Sequence, residues 1–377
     1  MAKPLRVGIL GAGGITNSHL PAYLEHPDRV QLTAVCDLIE DRANALAEKA
    51  GVDTVYTDLD TMLREGDIDA VDNCTFHPAH APLTVACAEA GKHVIVEKPM
   101  ATNLQECQDM VAAADKAGVT LMIAQDLRYS PEAFAVKRFI DEGRLGDIFA
   151  VRTNLLAPRV PPRIGRARQD RYADRRQGGG TLMSVQVHHI DLLRFYVGNV
   201  KRLTAQCRTV SPRMVNDAED LVAAILEFEN GVLGSLFAGP GETPEDASDG
   251  RPVTASTRSY MLYGTEGTIH STPETLPEHH HFGRIMFAPT EKQPIDRSIP
   301  ADAERWIHPA FEPIDTSGVG LPTVKPFVNE ILHFEECIRT GREPISSGRD
   351  NIETMKIIYG IWESSRTGKA VELDDLI

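Results

Sequence analysis

Leu5-Arg6-Val7-Gly8-Ile9-Leu10-Gly11-Ala12-Gly13-Gly14-Ile15-Thr16 opens the chain with a strand-like apolar run, a glycine turn and the start of a helix that continues through Tyr23 and Leu24. This is the order a dinucleotide-binding unit requires. Gly11 permits the tight turn, and Gly13 lets a pyrophosphate approach backbone N–H groups at the helix N-terminus. Gly14 and Ile15 are further candidates on that loop. Thr16 stands where the fingerprint has Gly or Ala, which predicts looser packing of helix on strand. The next strand, Gln31 to Cys36, ends on Asp37, about twenty residues beyond the glycines. A carboxylate there can accept the ribose hydroxyls of NAD and would repel the 2′-phosphate of NADP. Its other reading is a helix N-cap, because Leu38 onward is helical.

Outward from this unit the alternation of strand and helix continues to about residue 125. Ala70 to Thr75 precedes the helix Ala81 to Ala90, His93 to Glu97 precedes Leu104 to Ala117, and Thr120 to Gln125 is another strand. Such alternation predicts a parallel, doubly wound sheet, whose ligands collect beyond the strands' carboxyl ends. Glu97 and Lys98 lie at one such end, where Pro99 pushes the lysine toward an extended conformation. Two readings are open there, a catalytic lysine and a Lys–Glu pair that caps a strand. Thr75, His77 and His80 lie at another strand end and join Glu97 and Lys98 as candidates for the cofactor edge.

A chain of 377 residues exceeds what one core usually spans, so two domains are expected, 1–127 for the dinucleotide and 128–377 for the rest of the chain. A formal net charge of −15 argues against a nucleic-acid partner, which would need a Lys/Arg excess. The six cysteines show no CxxC pair, and read as reduced thiols rather than zinc ligands. With no leader-like segment and no apolar run of about 20 residues, a cytoplasmic protein without a membrane partner is expected.

In the second half, strands follow one another without helices between them: Ile148 to Leu156, Arg202 to Thr209, Leu221 to Phe228, Val232 to Ala238 and Ser259 to Tyr263. Turns at Glu229-Asn230-Gly231 and Gly264 to Thr268 join them, predicting a large, mostly antiparallel sheet in an α+β domain. Gly178-Gly179-Gly180 opens a helix that runs to Gly198. On a regular helix Ser184, His188, Asp191 and Phe195 share one face, at i, i+4, i+7 and i+11. His188 can accept a proton near neutrality, although a lone histidine is more commonly a satisfied core residue. Ser184 and Asp191 are candidate substrate contacts, as is Arg128 just ahead of a linker helix.

Between Pro158 and Gln177 lie Arg159, Arg163, Arg166, Arg168, Arg171, Arg175 and Arg176, opposed by Asp170 and Asp174. One reading is a solvated loop or subunit-contact arm. The other sends Arg163 and Arg171 into the pocket to bind an anionic or glycosidic substrate bidentately. Glu278-His279-His280-His281 and His308 lack metal-ligand spacing and read as a solvated or contact loop, so no metal is expected. Helices at Phe327 to Arg339 and Asn351 to Arg366 close the chain.

The glycine turn, Asp37, the segment Ala88 to Pro99 and the helix after the glycine run resemble, in order, those of the Gfo/Idh/MocA oxidoreductases. The resemblance implies a Rossmann domain joined to an open sheet, with 128–377 used for substrate and subunit contacts, a homodimer or homotetramer, and closing helices packed back on the first domain. It also implies NAD-dependent hydride transfer with a secondary hydroxyl of a sugar, sugar derivative or cyclitol. Lys98 would then contact substrate and nicotinamide ribose and assist proton transfer, with His188 the catalytic histidine and Asp191 the downstream acid. The chain departs from that pattern at His77 for Asn, Phe76 for Pro, Ser184 for Asp and Gln186 for Gly. Ser184 can hydrogen-bond but cannot orient His188 by charge. Two alternatives share the fold: transient oxidation that eliminates an aglycone from a glycoside, and a non-catalytic sugar-sensing regulator, which would be expected to lose Lys98 or His188.

Overall fold

The computed structural model describes residues 3–158, 173–211, 214–241, 257–271, 284–290 and 311–376. The first part runs β1 (Leu5–Leu10), α1 (Thr16–Glu25), β2 (Val30–Cys36), α2 (Glu40–Ala50), β3 (Val55–Tyr56), α3 (Leu59–Glu65), β4 (Ala70–Asn73), α4 (His77–Glu89), β5 (His93–Glu97), α5 (Leu104–Ala117) and β6 (Leu121–Ala124). Its six strands are all parallel, in the order β3-β2-β1-β4-β5-β6. β4 and β6 are buried throughout, as expected of strands covered on both faces. The doubly wound sheet is therefore as the sequence predicts. The two-residue edge strand β3 is too short to leave a hydrophobic period in the sequence.

α5 shows how local chemistry sets an element's ends. Asn103 caps it by accepting from the Glu106 amide at 2.8 Å, and Gly118 closes it with φ +68°. Thr16 behaves differently from the expectation of loose packing. It is buried, and its hydroxyl turns back to donate to the Gly13 carbonyl at 2.6 Å.

A 3-10 turn, Asp126–Tyr129, leads into α6 (Pro131–Asp141). Then come β7 (Ile148–Pro158), α7 (Val187–Val197), β8 (Val200–Arg208), β9 (Leu221–Phe228), β10 (Leu233–Gly241), β11 (Thr257–Gly264), β12 (Gly267–Ser271), β13 (Ile285–Pro289) and β14 (Glu312–Pro313). α8 (Pro326–Thr340), α9 (Gly348–Thr367) and β15 (Val371–Glu372) finish the chain. Among the described residues the second sheet has the order β14-β13-β12-β11-β7-β10-β9-β8-β15. Its pairs are antiparallel except β7 with β10, so it is mixed but mostly antiparallel. α8 packs on α1 and on the 3-10 turn, and α9 packs on α5 and β8, so the closing helices tie the two sheets together.

The helix after the glycine run is not regular. Leu182–Gln186 forms a π turn before α7 begins, and the Val187 amide donates to the Leu182 carbonyl five residues back. The face shared by Ser184 and His188 in a continuous α-helix is therefore broken between them, and π turns of this kind recur at functional sites.

Candidate active site

The first cluster lies at the carboxyl ends of β1 and β2. Gly11 has φ +91°, and a Cβ there would come within 3.0 Å of the Cys74 carbonyl, so only glycine fits the turn. Gly13 and Gly14 are exposed, and α1 begins after Ile15 with neither a side-chain cap nor an acidic residue in its first turn. That leaves a helix N-terminus suited to a pyrophosphate. Asp37 does not cap α2, whose N-cap is Ile39. Its carboxylate instead accepts from the Ala12 amide at 2.7 Å and the Ile39 amide at 2.8 Å, which fixes it beside the glycine turn with lone pairs left for a ribose diol. These residues fit a dinucleotide.

The second cluster lies at the ends of β4 and β5. The Thr75 hydroxyl donates to Asn73 Oδ1 at 2.6 Å. His80, wholly buried, has Nδ1 2.7 Å from the Pro99 carbonyl oxygen and Nε2 3.3 Å from that of Thr75, so it ties the β4 loop to the lysine turn. Burial holds it neutral, and the shorter contact is the one its single N–H donates to. His77 reaches across to the second domain, where its Nδ1 lies 2.9 Å from the Gly178 carbonyl oxygen. Burial, then the nearby His80, push this imidazole down to about 3, so it donates as a neutral ring.

Glu97 turns inward. Its Oε1 lies 2.9 Å from His19 Nε2, while His19 Nδ1 lies 2.9 Å from Asp72 Oδ2. Burial opposes charge on His19, but Asp72 outweighs it and raises the imidazole well above its usual value. Glu97 and Asp72 thus clasp an imidazolium behind the sheet edge. The Lys98 amide also donates to Glu97 at 3.1 Å, so the glutamate shapes the lysine turn from behind.

Lys98 is half-buried, and its Nζ donates to the Ser184 carbonyl oxygen at 3.2 Å. The lysine of the first domain therefore sits on the π turn, four residues before His188. His188 is 16 % exposed and places Nδ1 3.1 Å from Asp126 Oδ1. Sequence reasoning missed Asp126, although it lies two residues beyond β6 on the same sheet edge as Lys98. It also missed Gln125. The Gln125 amide and the Ser184 hydroxyl are buried without a hydrogen-bond partner among the described residues, and so are both carboxylate oxygens of Glu330 on α8.

Arg128 and Asp191 are brought together, but with each other. Arg128 is 3 % exposed and Asp191 1 %. Arg128 Nη2 lies 2.7 Å from Asp191 Oδ1 and 2.7 Å from Asp350 Oδ2, and Nη1 donates to the Ile345 carbonyl. Asp191 also accepts from the Thr354 hydroxyl at 3.0 Å and from Asn351 at 3.3 Å. Both expected substrate contacts are thereby committed to a buried junction of the 3-10 turn, α7 and α9. Arg159, Arg163, Arg166, Arg168 and Arg171 lie outside the described residues, as do Glu278 to His281 and His308. Arg175 stacks 4.1 Å from the Trp362 ring, and Arg176 pairs with Asp174 at 3.2 Å.

A parallel sheet with a glycine turn and a carboxylate fixed beside it, facing a lysine and a histidine from the other cluster, fits a nicotinamide-dependent oxidoreductase. Residues 5–125 match the family model described as an oxidoreductase family with an NAD-binding Rossmann fold, and residues 134–270 match the GFO/IDH/MocA C-terminal domain. The chain belongs to the GFO/IDH/MocA oxidoreductase family. It is 28 % identical to a D-apiose dehydrogenase of Paraburkholderia graminis, over 99 % of this chain and 91 % of that protein. It is 25 % identical to a myo-inositol 2-dehydrogenase of Thermotoga maritima, over 99 % of this chain and all of that one. Among solved structures, the WlbA dehydrogenase of Bordetella pertussis in complex with NADH and UDP-GlcNAcA superposes with a TM-score of 0.75 at 25 % identity, over 98 % of this chain and 99 % of that one. These relatives do not favour the aglycone-eliminating alternative. No helix among the described residues is long and apolar enough to cross a membrane.

Proposed function

We propose that the protein oxidises a secondary hydroxyl of a sugar, sugar derivative or cyclitol, with NAD preferred to NADP. The observation that carries this reading is Lys98 Nζ on the Ser184 carbonyl, which sets the lysine of one domain one turn from the histidine of the other. NAD supplies the hydride acceptor when bound, with Gly11, Gly13, Gly14, Ile15 and Asp37 as its holders. His188 takes the hydroxyl proton, and the Lys98 ammonium stabilises negative charge that develops on the same oxygen. The Ser184 hydroxyl and Gln125 amide, unpartnered among the described residues, support contacts to neighbouring substrate hydroxyls, since buried polar groups otherwise carry a desolvation cost. Arg128 and Asp191, committed to each other, act here as supports of α7.

In this reading residues 1–127 carry the cofactor and 128–377 carry the substrate and the subunit contacts. A cytoplasmic homodimer or homotetramer is part of the proposal. It is supported by six free cysteines and by Ile225, Leu233 and Phe237, exposed on one face of the open sheet.

The test is a panel of pentoses, hexoses, inositols and uronates with NAD or NADP, followed by reduced-cofactor absorbance. On the best substrate, Lys98→Met and His188→Gln should each lower kcat by about 10²- to 10⁴-fold while NADH affinity is kept. Wild-type kcat in both variants would overturn the assignment.

A further inference from the structure

We infer that Asp126 is the positioning residue for His188, holding its imidazole from the first domain so that Nε2 faces the substrate. The inference rests on the reading of His188 as proton acceptor and supplies what that reading lacks, a group that fixes the ring. Asp126 Oδ1 lies 3.1 Å from His188 Nδ1, and the carboxylate is only 2 % exposed. The two atoms are at ion-pair distance, and contacts between catalytic groups commonly tighten once the ternary complex forms.

Nearer candidates in sequence are otherwise engaged. Asp191, three residues along the same helix, has its oxygens on Arg128, Thr354 and Asn351. Ser184, within the π turn, offers only a neutral hydroxyl. Asp126 stands on a fixed platform. Its turn closes through the Arg128 amide on the Gln125 carbonyl at 2.9 Å, and α8 grips the turn through Asn329 Nδ2 on the Tyr129 carbonyl at 3.0 Å. The buried Glu330 does not compete for the role of local anion, because burial raises its carboxyl well above the usual range and keeps it neutral.

A carboxylate at Nδ1 selects the tautomer that carries its proton there, which leaves the Nε2 lone pair for the substrate. When the hydroxyl O–H bond breaks, the proton forms the Nε2–H bond. The resulting imidazolium then faces the Asp126 carboxylate, and its extra proton leaves to solvent.

The test uses the full-length enzyme with NADH bound and needs no substrate for its first arm. In 15N-histidine spectra, with the His188 signals assigned by their loss in His188→Gln, neutral wild-type His188 should carry its proton on Nδ1. In Asp126→Asn the population should move toward Nε2–H. The second arm is kinetic. Asp126→Asn should lower kcat by about 10²-fold or more with NADH affinity unchanged, and combining it with His188→Gln should cost no more than His188→Gln alone. An Nε2–H tautomer in the wild type, a kcat of Asp126→Asn within twofold of wild type, or additive losses would each overturn the inference. If Asp126→Asn fails to fold, the wild-type tautomer still decides. A His188→Gln enzyme with wild-type kcat would instead overturn the assignment of His188.

Discussion

Replacing Arg128 by Met separates a substrate contact from a structural support. The guanidinium is 3 % exposed and spans Asp191, Asp350 and the Ile345 carbonyl. Methionine of similar length would leave Asp191 buried and uncompensated, and breaking a buried pair from one side costs about 3–5 kcal/mol. Asp191 keeps its hydrogen bonds from Thr354 and Asn351, and Asp350 keeps Arg194 at 3.0 Å, so the lower end, about 3 kcal/mol, is expected. Asp191→Asn added to Arg128→Met removes the stranded charge while retaining an acceptor for Thr354, and should recover about half of that loss. Because two domains need not unfold together, urea titrations should be followed by both tryptophan fluorescence, to which the buried Trp362 contributes, and far-UV circular dichroism. Substrate KM should stay within a factor of about two. An unfolding midpoint equal to wild type together with a KM raised tenfold or more would refute the structural role and return Arg128 to the substrate.

Two further outcomes follow from the same site. Asp37→Ser removes the carboxylate beside the glycine turn, and the ratio of kcat/KM for NAD over NADP should fall by about tenfold or more, the worth of roughly 1.4 kcal/mol; an unchanged ratio would count against Asp37 as the ribose acid. Glu330 titrates higher folded than unfolded, so its contribution to stability is present at pH below about 4.3 and is lost as pH rises above it. Glu330→Gln should therefore raise the melting temperature more at pH 8 than at pH 5, and a gain that shrinks with rising pH would contradict a neutral buried acid.

Much of the fold is written locally. Gly11, Gly13 and Asp37 lie within one strand–helix–strand unit, so their meaning follows from spacing alone, and Pro99 marks the end of β5 without reference to anything distant. His188 and Lys98 could be singled out because each sits at a recognisable boundary, a glycine run and a strand end. Their partners could not. Asp126 and Arg128 lie 62 and 63 residues from His188 and Asp191, and whether each side chain meets a ligand or another residue depends on how α7 docks against the 3-10 turn. Periodicity likewise gave Asp191 and Ser184 a common face with His188. The π turn removes that for Ser184, and Arg128 claims Asp191. Thr16 shows the opposite case, where a residue that breaks a pattern satisfies the backbone it was expected to loosen.

The π turn has a consequence for anyone who would edit this helix. An α-helix advances about 100° per residue, so one residue of slack rotates everything on its far side by about that angle relative to what precedes it. Leu182–Gln186 is thus a phase slip, with Lys98 seated on one phase and His188 projecting from the other. An aligned column on the near side no longer reports a direction on the far side. Writing an aspartate into position 184 would match the letters of related helices without supplying their geometry, and deleting a residue from this segment would turn Ser184 and His188 relative to each other with no side chain changed.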